Sequence, residues 1–300
     1  MPGKNKKLNV TVVGAGSVGS TLAFLLKRRG HFIVSVISKT KKSARSLAAR
    51  VGCHVASDDV SEISPKTSFL LIATPESAID RVARSIAGVE GLPFKRIIVA
   101  HTSGALSSDV LSTLSLRGSQ VFSFHPIQSF PKSRRVHFPY SSMKGVWYGF
   151  EGPGSARPFA RRLAGTLGGK FLEVPKEKKI LYHLTCVFAS NYPVVLLGAV
   201  ERLAGQVSDG DLAPFRKLFE SSSENAFQLG GAKALTGPIA RGSTGILHRH
   251  MVELGSKEPE LLAIYSTLGL YALEILREKG TLSENDFRQM ESILTGTDDR

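Results

Sequence analysis

The alternation of apolar and polar positions predicts two regions of different architecture. In the first region, short apolar runs of strand type alternate with stretches of helical period. The strand runs are "LNVTVV", "HFIVSVIS", "SFLLIA", "KRIIVA", "SQVFSF", "GVWYGFEG" and "KFLEV". Strands separated by helices are typical of a doubly wound parallel sheet. We therefore predict an α/β fold, with a Rossmann domain over residues 1–174.

The strand pattern ends after residue 174. Long segments of helical period follow at about 177–203, 211–229, 244–254, 258–279 and 283–294. Ser283, with Asp286 three residues later, has the spacing of a helix cap. These segments predict an all-helical domain over residues 175–300. Stretches as apolar as "YPVVLLGAV" carry more apolar face than one short bundle buries, so we also expect a homodimer through this domain.

The first strand runs into a glycine turn with G-x-G-x-x-G spacing, formed by Gly14, Gly16 and Gly19. The first glycine permits the tight turn, the second lets the backbone approach a pyrophosphate, and the third lets helix and strand pack closely. A helix and a second strand follow, which favours a dinucleotide site over a purely structural turn. We expect the cofactor to contact this turn and the loop after a later strand, at Gly14, Ala15, Gly16, Ser17, Val18, Gly19, Ala73, Thr74, Pro75 and Ser77.

The end of the second strand bears on the choice of cofactor. A carboxylate at this position usually accepts hydrogen bonds from a free ribose, but this chain has Ser38 there, followed by Lys39, Lys41 and Lys42. A 2′-phosphate is attracted by a hydroxyl and ammonium groups. We therefore predict NADP(H), with contacts to Ser38, Lys39 and Lys41. The alternative is a solvated helix start in a basic protein.

Chemistry is expected in the loops that follow the strands, because ligands bind outside the carboxyl ends of a parallel sheet. His125 ends a strand and is a candidate proton or hydrogen-bond donor; otherwise it orients the loop before Pro126. His101 and Ser103 lie on the neighbouring loop and are candidates for the same catalytic roles. The hydroxyls next to His101 are alternatively ordinary turn formers.

Further candidates lie in the helical region. Lys179, His183 and Asn191 share a helix face, with Ser190 adjacent to it. We expect Asn191 to take part in catalysis and Ser190 to contact substrate, the alternative being a buried polar pair of His183 and Asn191. Arg241, before a predicted helix cap, is a candidate to bind a substrate carboxylate, or it merely caps its loop.

No metal site is predicted. His248 and His250 are two residues apart, so on a helix they point to different faces, whereas helical metal ligands favour a spacing of four.

Several of these stretches together resemble one family: "VVGAGSVGS", "ATPESAI", "HTSGALSSDVL", "FHPIQSF", "VFASNY" and "ALTGPIARGSTGILHRHMVEL". The chain is similar over nearly its whole length to Rossmann-like NADP oxidoreductases whose helical part is a domain of unknown function, number 2520. More distant relatives are pyrroline-5-carboxylate reductase and β-hydroxyacid dehydrogenases. The resemblance implies an active site between a Rossmann domain and a helical domain that dimerises. β-Hydroxyacid dehydrogenases place a Lys one turn from an Asn, whereas Val187 stands one turn before Asn191 here, which argues against a Lys-dependent mechanism.

Composition and charge narrow the function classes. The chain has 300 residues, 42% hydrophobic and 21% charged, which is ordinary globular composition. Its basic start lacks the apolar region of a leader, and its longest apolar run is too short for a bilayer, so we expect a cytoplasmic protein without a membrane partner. The two cysteines lie far apart in sequence, which predicts neither a disulfide framework nor a zinc site.

The formal net charge of +14 raises the question of nucleic acid. The basic groups are scattered in short clusters without a nucleic-acid-binding motif, so we expect them to attract an anionic cofactor and substrate instead. The leading hypothesis is an NADPH-dependent oxidoreductase acting on a small, carboxylate-bearing carbonyl, imine or alcohol. A non-catalytic NADP(H) sensor on the same fold and a nucleic-acid-binding protein are the alternatives.

Overall fold

The computed structural model describes residues 7–131, 143–280 and 282–297. In these ranges the strands form one eight-stranded sheet with the order β3-β2-β1-β4-β5-β6-β7-β8. The strands are β1 (Asn9–Val13), β2 (Phe32–Ile37), β3 (Ala56–Ser57), β4 (Phe69–Ile72), β5 (Ile98–His101), β6 (Gln120–Pro126), β7 (Trp147–Glu151) and β8 (Lys170–Glu173). The predicted fold class, a Rossmann sheet followed by a helical region, is confirmed.

The helices follow the predicted segments closely. Those of the sheet region are α1 (Ser17–Arg28), α2 (Lys41–Val51), α3 (Glu76–Ala87), α4 (Ser112–Leu116) and α5 (Arg157–Thr166). Beyond the sheet lie α6 (Lys179–Val207), α7 (Ala213–Leu229), α8 (Gly231–Ala234), α9 (Thr244–Lys257), α10 (Pro259–Lys279) and α11 (Glu284–Thr295). The predicted cap of the last helix is present: the Ser283 hydroxyl accepts a hydrogen bond from the Asp286 amide at 3.1 Å.

The direction of the strands differs from the prediction at one pairing. The first six strands are mutually parallel, but β7 runs antiparallel to β6, and β8 is parallel to β7. The expectation that the strand carrying His125 runs parallel to both neighbours is therefore wrong. The alternation of apolar segments reveals that a strand is present, but it carries no information on strand direction. In the observed register, His125 lies opposite Gly149.

The sheet is covered on both faces, which explains its apolar strands. One core cluster packs β1, β4 and β6 against α1, α2 and α5, and includes Leu22, Leu26 and Phe122. The other packs the opposite face against α3 and α4, and includes Ile79 and Leu111. Every residue of β4 is buried, as expected for a central strand of a sheet with two covered faces.

The contacts divide the chain into two compact units, Met1–Tyr192 and Pro193–Arg300. The first unit contains the sheet and the beginning of α6. The second has its own small core around α9, α10 and α11, formed by Leu247, Leu273, Phe287, Met290, Ile293 and Leu294. The sequence-based boundary between residues 174 and 175 stays a prediction.

Two helical stretches are long and apolar enough to cross a membrane by length and composition alone, Lys176–Val207 and Pro259–Glu278. Large apolar side chains are exposed along α6 and within the second unit. Val194, Val195 and Val207 are 68%, 54% and 73% exposed. These helices thus carry apolar surface that their own unit does not cover.

Candidate functional site

The three glycines of the turn after β1 have different roles. Gly14 has φ +108°, and a Cβ there would run into the carbonyl of Ala73, while a Cβ on Gly19 would run into the carbonyl of Gly14. Both glycines are therefore required by the packing of the turn itself. A Cβ on Gly16 would meet no atom of the described residues within 4 Å. The chain's own packing gives no reason for a glycine there, and the open space lies at the start of α1.

The surroundings of Gly16 fit a phosphate-bearing ligand. Gly16 occupies the cap position of α1, no side chain caps that helix, and its first turn contains no acidic residue. The amides of the first turn are thus available to an anion. In the loop after β4, Oγ1 of Thr74 is buried without a hydrogen-bond partner among the described residues. An uncapped helix start, open space and an unsatisfied hydroxyl are all compatible with a dinucleotide at this turn.

Ser38 lies beside the same turn, because its hydroxyl accepts a hydrogen bond from the amide of Ala15 at 3.4 Å. Lys39 is exposed, and Thr40 caps α2 by accepting a hydrogen bond from the amide of Ser43. Lys41 is exposed as well and forms an ion pair with Asp58 at 3.7 Å. Of the two predicted phosphate-binding lysines, Lys41 therefore already has a partner.

The strands β1, β2, β4, β5 and β6 are parallel, so their carboxyl ends meet at one edge of the sheet. His101, at the end of β5, is fully buried, and both of its ring nitrogens are bonded to backbone. Nδ1 accepts a hydrogen bond from the amide of Ser103 at 3.2 Å, and Nε2 lies 3.2 Å from the carbonyl of Ser107. Burial, together with the charge of Lys179, lowers the pKa of His101 to about 3. His101 thus stabilises its loop in a neutral form and has no ring nitrogen free for a ligand.

Ser103 is equally engaged in holding this loop. Its hydroxyl donates a hydrogen bond to the carboxylate of Glu76 at the start of α3. It also accepts from the amides of Ala105 and Leu106 at 3.1 and 3.0 Å. The side chain fixes the loop after β5 to the loop after β4, and is only 6% exposed.

Lys179, at the first position of α6, reaches into this network. Its ammonium group donates to the hydroxyl of Ser123 at 2.8 Å and to the carbonyl of Ser103 at 3.4 Å. The side chain is 2% exposed. Burial lowers the pKa of Lys179 to about 8, against the opposing effect of Glu151, Cys186 and Glu76. A buried cation is thus placed between the ends of β5 and β6.

His125, near the end of β6, is the predicted catalytic histidine. Its Nδ1 lies 2.7 Å from the hydroxyl of Tyr182 on α6, and the two rings meet edge to face at 5.7 Å. Burial, followed by the charges of Lys179 and His183, lowers the pKa of His125 to about 4. The imidazole is therefore neutral at pH 7. Burial is also the main reason that the pKa of Tyr182 is raised.

Two glycines make room for this pair. A Cβ on Gly149 would run into the hydroxyl of Tyr182. A Cβ on Gly104 would lie 2.8 Å from the ring of His183 and 3.1 Å from both Cε1 and Nε2 of His125. Nε2 of His125, which has no hydrogen-bond partner among the described residues, thus lies on the side of Gly104, and the two histidine rings border the same backbone.

Of the remaining candidates, Ser190 and Asn191 are not part of this cluster. Ser190 and Asn191 are exposed on α6 and bonded to each other at 3.0 Å. Asn191 is eight residues beyond His183, or about 12 Å along the helix at ~1.5 Å per residue. Arg241 is exposed in the second unit, before Gly242 with φ +68°. Among the described residues there is no cluster of three or more side chains suited to a metal ion.

Sequence reasoning missed Tyr182, Ser123 and the buried position of Lys179. A helical signal for the tyrosine exists: Lys179, Tyr182 and Cys186 are spaced three and four apart, on one face. The spacing of four residues on which the predicted helix face rested includes His183 and excludes Tyr182, which is three residues from Lys179. Ser123 carries no signal, because a serine inside a buried strand is not distinguishable by pattern.

Comparisons with known proteins agree with this architecture. Residues 3–126 match the family described as a Rossmann-like domain, and residues 146–272 match the family described as a domain of unknown function, DUF2520. The chain therefore joins a Rossmann-like domain to a DUF2520 domain, as the sequence motifs predicted.

Two solved structures share the fold. One is a candidate NADP oxidoreductase from Bacteroides fragilis, with a TM-score of 0.75 and 24% identity, covering 89% of this chain and 98% of that one. The other is an imine reductase from Myxococcus stipitatus in complex with NADP⁺, with a TM-score of 0.56 and 15% identity, covering 96% and 93% of the two chains.

One curated sequence is similar over a shorter stretch. Glycerol-3-phosphate dehydrogenase [NAD(P)+] of Clostridium acetobutylicum is 30% identical over 106 residues, which is 32% of this chain and 31% of the relative. The match thus spans about a third of the length of that curated relative.

Proposed function

We propose that this protein is an NADP(H)-dependent oxidoreductase that acts on a small, carboxylate-bearing carbonyl, imine or alcohol. The observation that carries the proposal is the edge of the sheet at which the open glycine turn and the His125–Tyr182 pair both lie. When bound, the nicotinamide cofactor supplies or accepts the hydride. The relatives that share the fold include proteins named as a candidate NADP oxidoreductase and an imine reductase.

His125 is the group we assign to the reacting oxygen or nitrogen of the substrate. We assign the Tyr182 hydroxyl as the donor to Nδ1, which leaves the proton of the neutral ring on Nε2, and Nε2 has Gly104 as its neighbour. A histidine whose pKa is lowered to about 4 acts at pH 7 as a hydrogen-bond donor rather than as a charged acid. The ring then polarises the substrate and stabilises charge that develops on it.

Lys179 stabilises the loops around His125 and affects the ionisation of its ring. Its bonds to Ser123 and Ser103 tie the ends of two strands together, and its charge favours the neutral form of His125. A cation in a buried position also favours an anionic substrate. Ser190, Asn191 and Arg241 remain proposed contacts for the rest of the substrate.

Selection of the 2′-phosphate rests on Ser38 and Lys39, because Lys41 is paired with Asp58. The imine reductase of the same fold is known with NADP⁺, and a variant of that enzyme is known with NAD⁺. Specific side chains at the ribose, rather than the fold, must therefore decide the preference.

Cofactor binding is tested by a matched pair of glycine variants. Gly16→Ala adds a Cβ into open space at φ −76°, so stability should change by less than about 1 kcal/mol, while NADPH affinity should fall at least about tenfold. Gly14→Ala should reduce both the stability and the NADPH affinity, because φ +108° and the carbonyl of Ala73 oppose a side chain. Calorimetry with NADPH and urea denaturation measure the two effects. Unchanged NADPH affinity in Gly16→Ala would refute a dinucleotide at this turn.

Catalysis is tested by following the absorbance of NADPH with 2-oxo acids and carboxylate-bearing cyclic imines. His125→Asn should reduce turnover by about a hundredfold or more with NADPH affinity within a few fold. His101→Asn should act mainly through stability, because both nitrogens of His101 bind backbone. Tight NADPH binding without turnover of any such compound would favour the second candidate, a non-catalytic sensor on the same fold.

A further inference from the structure

The opposite edge of the sheet contains a cavity that the proposed reaction does not use. It has a volume of about 300 Å³ and lies where β1, β2, β4 and β5 begin, beside the end of α5. It is thus separated from the glycine turn by the length of the strands, about 15 Å for five residues. A volume of this size is at the lower end of small-molecule sites. Its lining includes Lys7, Leu8, His31, Arg96, Phe159 and Arg162.

The charge of this cavity is entirely positive. Lys7, Arg96 and Arg162 line it, and the lining contains no acidic residue. None of the three has an ion-pair partner within the part of the chain that the structure describes. Exposed cations are common in a chain with 39 lysines and arginines. Three of them around one concave site raise the local concentration of anions.

A second, independent feature distinguishes the cavity from an ordinary basic surface. His31 is 6% exposed, and its Nδ1 accepts a hydrogen bond from the amide of Leu8 at 3.0 Å. The proton of the neutral ring is therefore on Nε2, which is buried and has no hydrogen-bond partner among the described residues. An unsatisfied buried donor is costly, and His31 is one of the residues that line the cavity.

We propose that this cavity is a binding site for a phosphate group, free or carried by a small metabolite. A phosphate has three strong acceptor oxygens and nearly two negative charges at pH 7. It matches one neutral N–H donor and three cations better than a single carboxylate does. The site is separate from the cofactor turn, and its existence does not depend on the proposed hydride transfer.

The test uses inorganic phosphate and the whole chain. Phosphate raises the midpoint of thermal unfolding when it binds the folded protein, at constant ionic strength set with chloride. The double variant Arg96→Gln, Arg162→Gln should weaken phosphate affinity by about a hundredfold, at about tenfold for each charged contact. Arg81→Gln removes one exposed charge from α3 that has no ion-pair partner among the described residues, and it serves as a control for the loss of surface charge. It should leave the effect unchanged.

A second variant distinguishes this cavity from the ribose end of the cofactor turn. Lys39→Gln should retain the phosphate effect, and the ring N–H of His31 should shift in an NMR titration of the same variant. Loss of the effect in Lys39→Gln, or its survival in the double arginine variant, would overturn the proposal. A titration with glycerol phosphate in place of inorganic phosphate shows whether the site prefers a phosphate monoester.

Discussion

The hydroxyl of Tyr182 lies 2.7 Å from Nδ1 of His125, and the space that it occupies exists because residue 149 is glycine. The two residues are 57 positions apart in sequence. The pair fixes the orientation of the imidazole and thereby determines which ring nitrogen faces the loop after β5. The candidate catalytic group is thus positioned by α6 as much as by its own strand.

Tyr182→Phe should reduce turnover by about fivefold, because it removes one neutral hydrogen bond worth about 1 kcal/mol from a group that touches substrate. NADPH affinity should stay the same. The ¹⁵N shifts of the His125 ring should change from one tautomer to a mixture, which a purely structural role would not produce. Tyr192→Phe, on the same helix and 47% exposed, is the control. Unchanged tautomer and turnover in Tyr182→Phe would contradict the assigned role.

Gly149→Ala should destabilise the first unit by roughly 1–3 kcal/mol, because its Cβ would run into the Tyr182 hydroxyl. Urea denaturation measures this change. Gly154→Ala is the matched control, since a Cβ there meets nothing within 4 Å. An equal stability of the two variants would show that the tyrosine moves away without cost.

The free energy of unfolding should fall on acidification. Folding lowers the pKa of His101 to about 3 and that of His125 to about 4, from 6.5. The unfolded chain therefore binds more protons below pH 6.5, and stability is lost as the pH falls from about 6.5 towards 4 and 3. The loss should reach several kcal/mol, at about 1.4 kcal/mol per pKa unit. Between pH 4 and 7, the free energy of unfolding of His101→Asn should depend less on pH than that of the parent protein. An equal slope for the two proteins would refute the prediction.

The protein should bind NADPH more tightly than NADH. Lys39→Gln should reduce this preference by about tenfold, since it removes one charge-assisted contact to the 2′-phosphate. Ser38→Asp should reverse it through repulsion. Calorimetry gives the dissociation constants of the parent protein and of each variant for NADPH and for NADH. Equal dissociation constants of the parent protein for NADPH and NADH would contradict the sequence-based expectation.

The second unit should form a homodimer through its exposed apolar helices. Val195→Glu should shift the mass from light scattering towards that of a 32.3 kDa chain, because it places a charge on an exposed apolar face. Leu116→Glu is the control, since Leu116 is 87% exposed in the first unit. A monomeric parent protein at micromolar concentration would refute the dimer. If the parent protein instead floats with lipid vesicles, the same face binds a membrane.

The sequence by itself determined the elements and the glycine turn. Local patterns suffice for these features, because strand and helix periods and the spacing of Gly14, Gly16 and Gly19 depend on neighbours along the chain. The same patterns led to His125, since a polar residue at the end of an apolar strand can be recognised from the sequence alone. The family resemblance rested on the same local motifs.

Only the tertiary structure decided how the candidates are arranged. Strand direction is set by contacts distant in sequence, so the antiparallel β7 that places Gly149 opposite His125 carried no local signal. His101 and His125 look equivalent in the sequence. In the structure, both ring nitrogens of His101 are hydrogen-bonded to backbone, whereas Nε2 of His125 lies beside Gly104. The ionisation of each group depends on what surrounds it in three dimensions, and that information is absent from the order of residues.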